Sequence, residues 1–593
     1  MLSTDARAIA MDLLRPPPGY RLDRAVLTTY SLDLEALLAL PLAVLAHADA
    51  SINELLEDPL LLITALREAG NRISVFVDEN GIAIPRAARP LYAMLESSVH
   101  PVRAPNGGAF HPKVWLARFT DEHEAPLLRV AVLSRNLTFD RSWDVALTSD
   151  GEPAARRRSS HSRDLGEFVR ALPGFATQSV PPELKSAIGK LAGEAERTRF
   201  PSPDDFDDPI GFNALGLEPG RKKPWRPVLH GTRLLAIAPF ANRTALDALA
   251  KTTDGEISLI SCQEALDAIP SDALEEWDPI FVLSDAAIAE AEDEGSQRPS
   301  GLHAKLVAIE NGRDVSWLLG SANLTAAAYL GRNVEMMASV VGLRRRSGID
   351  QFLDAGFRDL CEPYRRNNDG AREPEVESAG ALLQQARQSL ADANLEVACR
   401  QSEEHWEWVV NGEVSLPNGV EADFWPVSLP EAQARRLELP STWPLPITRL
   451  TTFVAFRLRF PGVSVDDVRF TLKLPAHGMP EGRVAQVLRT LIDSPERFLQ
   501  FLRALLGGLD GLVGWVGHNG EGPESQRWDI GWSPQTLLED LLRAASRDPA
   551  RLEPVRRLIR DLRQTEEGRE IVPDDLFALW SVVDEAARRE GSP

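Results

Sequence analysis

Short apolar runs of about four to eight residues, rich in β-branched types, alternate with helical stretches through the first two-thirds of the chain. They do so twice, in the same order of parts. The first series opens with a β-like stretch at Ala25–Tyr30 and a helical run at Leu34–Ala46. A second helix, Leu55–Glu68, precedes strands expected at Arg72–Val77, Val99–Ala104, His111–Phe119 and Leu128–Asn136. The second series runs Arg233–Phe240, a helix over Ala245–Ala250, then Ile257–Ser261, Pro279–Ser284, His303–Glu310 and Trp317–Asn323. Strands this continuously apolar are buried on both faces, which predicts two α/β halves with helices packed on their sheets. The fourth and fifth strands of each half are expected to pair as a hairpin, and Asn311-Gly312 is a strong two-residue turn signal in the second.

Between the halves, Pro201–Trp225 is rich in Asp, Pro and Gly and reads as linker. The composition shifts again over Arg365–Pro374. Beyond it lie a helical stretch at Ala379–Ala393, β-like runs at Trp406–Val410, Thr451–Phe460 and Val468–Leu474, and helices within Gly482–Leu506 and Pro534–Arg589. The expected organisation is a first half over residues 1–200, a linker over 201–226, a second half over 227–370 and a C-terminal α+β domain over 371–593. A length of 593 residues accommodates several such units.

Composition narrows the class. Hydrophobic content of 44% and charged content of 26% are those of an ordinary soluble globular protein. The first residues run into Arg15-Pro-Pro-Pro rather than an apolar signal core. The longest apolar stretch, Ala36–Ala46, is broken by Pro41 and falls short of the roughly 20 residues of a membrane helix. A cytoplasmic protein without membrane association is therefore expected. Cys262, Cys361 and Cys399 lie far apart, in neither disulfide-scaffold nor zinc spacing, and Cys262 reads as a buried structural thiol. The net charge of −22 argues against sequence-blind coating of nucleic acid, yet leaves room for a local basic groove. Arg156–Arg158, Arg221–Arg226 and Arg344–Arg346 are candidate strips of one; Arg344, Arg345 and Arg346 come first because they follow the second motif. Eight of the thirteen tryptophans lie after residue 400, where core packing is the preferred reading over base-stacking platforms.

The chemistry concentrates in two short motifs. His111-x-Lys113 and His303-x-Lys305 each place a histidine and a lysine two apart on an expected strand, so that both emerge on one face. Each is followed by an asparagine at the end of the next strand, in Ser134-Arg-Asn136-Leu-Thr and Ser321-Ala-Asn323-Leu-Thr. The separations from histidine to asparagine are 25 and 20 residues, a difference that a hairpin loop absorbs. Cleavage of a phosphodiester needs a nucleophile, an acid for the leaving group and positive charge around the phosphoryl oxygens. Two facing His-Lys-Asn sets supply all three. The other eight histidines have no matching partners and read as structural or surface residues.

The second motif, with Gly320-Ser321-x-Asn323 and Asn333-Val-Glu335, resembles that of the phospholipase D superfamily, and the resemblance spans residues 20–370 in two copies. It implies two α/β/α halves forming an intrachain pseudo-dimer and metal-independent chemistry without a cofactor. It further implies a phosphohistidine formed on His111, with His303 as acid and base, although the residues alone leave the reverse open. Glu335 and Asp144 are the expected acceptors behind the histidines, each from the opposite half, with Ser134 and Ser321 in support. The family's Asp, seven residues past the histidine, is Arg118 in the first copy and Glu310 in the second, and Leu133 replaces the glycine before Ser134. Tyrosyl-DNA phosphodiesterase-like members also lack that Asp, so the resemblance leans towards nucleases and away from lipases. It implies a phosphodiesterase acting on nucleic acid, in repair or antiviral defence; separately, the C-terminal helices are the expected place for a protein partner or oligomer interface. The rival readings are a phospholipid head-group hydrolase or transferase and an inactive phosphate- or nucleic-acid-binding subunit.

Overall fold

The computed structural model describes residues 13–45, 66, 70–121, 125–139, 142–220, 230–284, 301–367 and 374–491, and, beyond these, 498, 502, 541–542, 552–563, 566–572 and 574–590. Strands β1 (Arg21–Thr29), β2 (Ile73–Asp78), β3 (Val99–Val102), β4 (Val114–Thr120), β5 (Leu127–Leu133) and β6 (Ala146–Gly151) form a sheet in the order β3-β2-β1-β4-β5-β6. A second sheet contains β7 (Phe206–Leu215), β8 (Gly231–Ile237), β9 (Thr253–Ile260), β10 (Ile280–Leu283), β11 (Leu306–Asn311), β12 (Asp314–Gly320), β13 (Glu335–Leu343) and β14 (Cys361–Pro363). Its order is β14-β10-β9-β8-β11-β12-β13-β7, and its inner six strands repeat the first sheet strand for strand. In each half the first three strands are parallel and the rest antiparallel. This is an α/β architecture built from two copies of one sheet.

Side-chain alternation shows why both sheets read as continuous apolar runs. Along β1, Val26 enters a core that also holds Leu235, Ile237 and Trp317 of the second half, while Ala25 and Leu27 face a separate outer core. Along β8, Leu235 and Ile237 join the shared core, while Leu234 and Ala236 pack outwards against Leu246 and Leu249 of the helix Arg243–Ala250. Each sheet is thus buried on both faces, and the shared inner face welds the halves together.

The stretch read as linker is corrected. Phe206–Leu215 forms the ten-residue strand β7, which pairs antiparallel with β13 and closes the edge of the second sheet. Its Asp and Pro residues suit an edge strand, where unpaired backbone groups face outwards. Residues 221–229, including the basic run there, lie outside the described residues, as does most of the expected helix Leu55–Glu68. The hairpin turn of the second half is Gly312-Arg313, one residue later than expected, with Gly312 at φ +61° and Asn311 paired with Asp314.

After the helix Pro374–Asp392 come β15 (Glu396–Gln401), β16 (Trp406–Asn411), β17 (Glu421–Pro426), β18 (Arg435–Arg436), β19 (Ser441–Leu445), β20 (Phe453–Arg459), β21 (Val468–Lys473) and β22 (Ala476–His477). They make two four-stranded sheets, β19-β16-β15-β22 and β18-β17-β20-β21. Trp408 and Trp443 are core residues here, and the Trp408 indole donates to the Thr451 carbonyl at 2.8 Å. The domain docks on the outer face of the first half, where Trp425, Phe453 and Val487 share a core with Leu27 and Trp115. A buried ion pair pins the contact: Arg483 donates to Glu96 at 2.6 Å, both side chains being only 9% exposed. Glu96 also accepts from the Thr452 amide at 2.9 Å, and Lys473 donates to the Val99 carbonyl at 2.8 Å.

Removing one partner of a buried pair leaves the other charged and unsatisfied. Glu96→Ala is expected to destabilise the docked domain by about 3–5 kcal/mol, read by denaturant unfolding, and Glu96→Leu with Arg483→Met to recover most of that loss. Additive losses in the double variant would contradict the pairing.

Candidate active site

Two short backbone bridges build the site. Phe110 pairs parallel with Val334, and Trp143 with Leu302, so each half lends the other an extended segment. The His111 amide donates to the Val334 carbonyl at 3.0 Å, and the His303 amide to the Trp143 carbonyl at 2.9 Å. In each bridge the next residue along is a histidine on one side and a carboxylate on the other. His111 Nδ1 therefore meets Glu335 Oε2 at 3.0 Å, and His303 Nδ1 meets Asp144 Oδ1 at 3.1 Å. Each histidine is held by the carboxylate of the opposite half.

The supporting contacts repeat the symmetry. Ser321 donates to Glu335 at 2.5 Å and accepts from the Met336 amide at 3.0 Å. Ser134 donates to Asp144 at 3.1 Å and accepts from the Val145 amide at 2.9 Å. Asn333 donates to Glu335 at 3.1 Å, and Ser142 to Asp144 at 2.7 Å. With the carboxylate on Nδ1, the neutral imidazole carries its proton there and keeps its Nε2 lone pair for chemistry.

Lys113 and Lys305 are both buried, and each ammonium donates to the carbonyl of its own histidine, at 2.8 and 2.6 Å. The histidine-to-lysine stretches are not within strands as expected. They lead into the strands, with β4 starting at Val114 and β11 at Leu306. Asn136 Oδ1 accepts from the Ser31 amide at 3.3 Å, whereas Asn323 Oδ1 is buried with no hydrogen-bond partner among the described residues.

Burial and mutual repulsion tune these groups. Desolvation pushes His111 down to about 4, against the pull of Glu335, and lowers His303 against the pull of Asp144. Burial brings Lys305 to about 8; burial and the nearby Lys305 charge take Lys113 well below the usual lysine range. Burial opposes ionisation of Glu335 and Asp144, but their histidine partners outweigh it and both stay below the usual carboxylate range. His111 senses Lys305 and His303 senses Lys113, so the two sets converge on one space. Two desolvated lysines whose charged forms burial disfavours make that space suited to an anion, which favours their ammonium forms.

Two expected contributors lie elsewhere. Glu310, on β11, accepts from the Ile349 amide at 2.8 Å and pairs with Arg344 at 2.9 Å. It anchors the helices after β13, as Arg118 anchors the first half through Glu194 at 2.7 Å. Arg344, Arg345 and Arg346 are exposed beyond the far end of β13, on the order of 30 Å along the strand from Glu335. The expected groove strip is thus a one-turn helix, Arg344–Ser347, remote from the histidines along β13. Arg156–Arg158 are exposed in the loop after β6, the matching place in the first half.

Sequence reasoning missed Tyr30, whose ring lies 5.3 Å from that of His111, and Asp78, which accepts from the Phe110 amide at 2.8 Å. The internal repeat could not reveal them, because their matching places in the second half hold Pro239 and Cys262. Cys262 is partly exposed and beside the site, its Sγ 3.8 Å from the Leu302 carbonyl.

No protein-family model and no curated protein matches the sequence. Among solved structures, the chain is similar to yeast tyrosyl-DNA phosphodiesterase over 58% of its length and 90% of that chain, at 11% identity and a TM-score of 0.36. A polyphosphate kinase from Porphyromonas gingivalis is similar over 64% of this chain and 50% of its own, at 14% identity and a TM-score of 0.33. At such scores the chemistry of the site rests on its own geometry. Among the described residues no helix is long and apolar enough to cross a membrane, and no cluster of three His, Cys, Asp or Glu is arranged to hold a metal ion.

The crossed pairing has a direct spectroscopic consequence. With histidines 13C-labelled at Cε1, Glu335→Gln should lower the titration of His111, and Asp144→Asn that of His303, because each loses the negative charge favouring its imidazolium. Movement of the histidine in the mutated half instead would refute the crossing.

Proposed function

We propose that this chain is a metal-independent phosphodiesterase acting on nucleic acid through a phosphohistidine, with His111 as nucleophile and His303 as general acid and base. The observation that carries the reading is the pair of crossed histidine–carboxylate contacts beside two buried lysines. His111, driven down to about 4, is neutral at ordinary pH and presents Nε2 to phosphorus. As the phosphorus–nitrogen bond forms, the bond to the leaving oxygen breaks, and His303 Nε2–H gives its proton to that oxygen. His303 then takes a proton from water, the hydroxyl attacks phosphorus, and the phosphorus–nitrogen bond breaks to restore His111. Lys113 and Lys305, with the amides of Asn136 and Asn323, hold the phosphoryl oxygens as charge builds on them.

Nucleic acid is favoured over phospholipid because the place of the lipase-type Asp holds Arg118 and Glu310, both engaged in structural ion pairs. The setting, repair or antiviral defence, follows the family resemblance. The rival readings make different predictions: a head-group hydrolase cleaves phosphatidylcholine and no DNA or RNA, and an inactive binding subunit gives no turnover.

His111→Ala and His303→Ala should each cut nuclease turnover in EDTA by about 10²–10⁴. In the His303→Ala protein, radiolabelled phosphate should accumulate on His111, since the second step has lost its base. Full activity in both variants ends the catalytic assignment, and label on His303 of the wild type reverses the two roles.

The pH dependence has a defined sign. Productive binding needs His111 neutral and His303 protonated, so kcat/KM should fall as pH drops through about 4 and fall again as pH rises past a value below 6.5. A bound phosphodiester anion favours the His303 imidazolium, so the basic limb of kcat should lie at higher pH than that of kcat/KM. Coincident basic limbs would contradict that coupling.

A further inference from the structure

The two half-sites match in their histidines, lysines, serines and asparagines, but not in what stands behind the histidine-bearing segment. At the end of β2, Asp78 is buried and bonded twice to backbone: Oδ2 accepts from the Phe110 amide at 2.8 Å and Oδ1 from the Asn80 amide at 3.1 Å. Phe110 is the residue before His111 and one member of the bridge to Val334. The matching place at the end of β9 holds Cys262, which offers no such acceptor to the segment before His303.

The turn that begins at Asp78 is clasped from two sides. On the inner side, the Leu32 amide donates to the Gly81 carbonyl at 2.9 Å and the Ala83 amide to the Leu32 carbonyl at 2.8 Å. A Cβ at Gly81 would lie 1.7 Å from the Tyr30 carbonyl, so the turn is pressed against the segment whose tyrosine touches His111. On the outer side stands the C-terminal domain. Arg387, on the helix Pro374–Asp392, donates to the Asn80 carbonyl, and Asn80 donates to Gln388 at 3.2 Å. Arg103 bridges Glu79 at 2.6 Å and Asp392 at 2.7 Å. From β21, the Thr471 amide donates to the Ile82 carbonyl at 2.8 Å and its hydroxyl to the Ala83 carbonyl at 3.1 Å.

We propose that Asp78 is a positioning residue for His111, and that the C-terminal domain sets its place through Arg387. Asp78 acts through the Phe110 backbone and does not touch the reacting atoms. The domain therefore serves the first half-site as a brace: undocking it frees the 78–83 turn, loosens Phe110 and lets the nucleophile leave its line of attack. Only the kinetic part of this inference rests on the phosphodiesterase reading.

The test combines turnover of bis(4-nitrophenyl) phosphate by the full chain with deuterium uptake of segments 78–83 and 105–113. Asp78→Ala should lower kcat about tenfold to a hundredfold, as expected for a misplaced reacting group, with KM within about twofold. Uptake in both segments should quicken while the melting temperature shows a folded protein. Asp78→Asn, which keeps one acceptor, should fall between Asp78→Ala and wild type. Arg387→Ala should lower kcat in the same direction, Arg387→Lys should restore it, and adding Arg387→Ala to Asp78→Ala should cost nothing more. Unchanged uptake at 105–113 in Asp78→Ala, unchanged kcat, or independent, multiplying losses in the double variant would each overturn the proposal. His111→Ala is the control: if it turns over substrate like wild type, the phosphodiesterase reading fails, while uptake still decides whether the brace exists.

Discussion

The site depends on two parallel backbone bridges, Phe110 to Val334 and Trp143 to Leu302, which stitch one half to the other beside the reacting groups. A bridge fixes the relative height of two chains to within a residue, because the next side chains on both must emerge together. In each case those side chains are a histidine and a carboxylate. Neither half can orient its own imidazole, and the sheets must share an inner core before either contact exists. The geometry of the candidate site is thereby tied to the packing of Val26, Leu235, Ile237 and Trp317.

The electrostatics follow from the same closure. Burying Lys113 and Lys305 together costs free energy that the histidine carbonyls and the charges of Glu335 and Asp144 offset only in part, so both lysines stay below the usual lysine range. On the proposed function, a phosphodiester anion supplies further counter-charge. Binding it stabilises both ammonium groups and the His303 imidazolium at once, so affinity and protonation state are linked. The buried Asn323 oxygen has no hydrogen-bond partner among the described residues; as an acceptor it suits a donor such as water rather than the oxygens of an anion.

How much of this was legible in the sequence follows from what repetition can show. Groups present in both copies were read directly, since His111 and His303, or Ser134 and Ser321, vouch for one another. Glu335 and Asp144 required the family resemblance, because a Glu and an Asp at unequal spacings are not an evident pair. Glu310 stands at the place of the resembled family's Asp and Arg344–Arg346 closely follow the second motif, but strand direction carries both away: a residue five or nine steps along an extended strand leaves the site at about 3.3 Å per step. Phe206–Leu215 was hidden because edge strands tolerate the Asp and Pro that mark linkers elsewhere.

The departures from symmetry carry the remaining functional information. A perfectly twofold site would offer a substrate two equivalent orientations, and either histidine could attack. Here the first half has Tyr30 against its histidine and Asp78 behind it, with the C-terminal domain pressing on the same turn. The second half has Pro239 and Cys262 in those places, and Phe240, 58% exposed, stands where the first half has Ser31. The His111 side chain is 13% exposed and that of His303 21%. The C-terminal domain then does more than add mass to an old repeat. On the brace proposed above, its contacts with the 78–83 turn act on the half that carries His111.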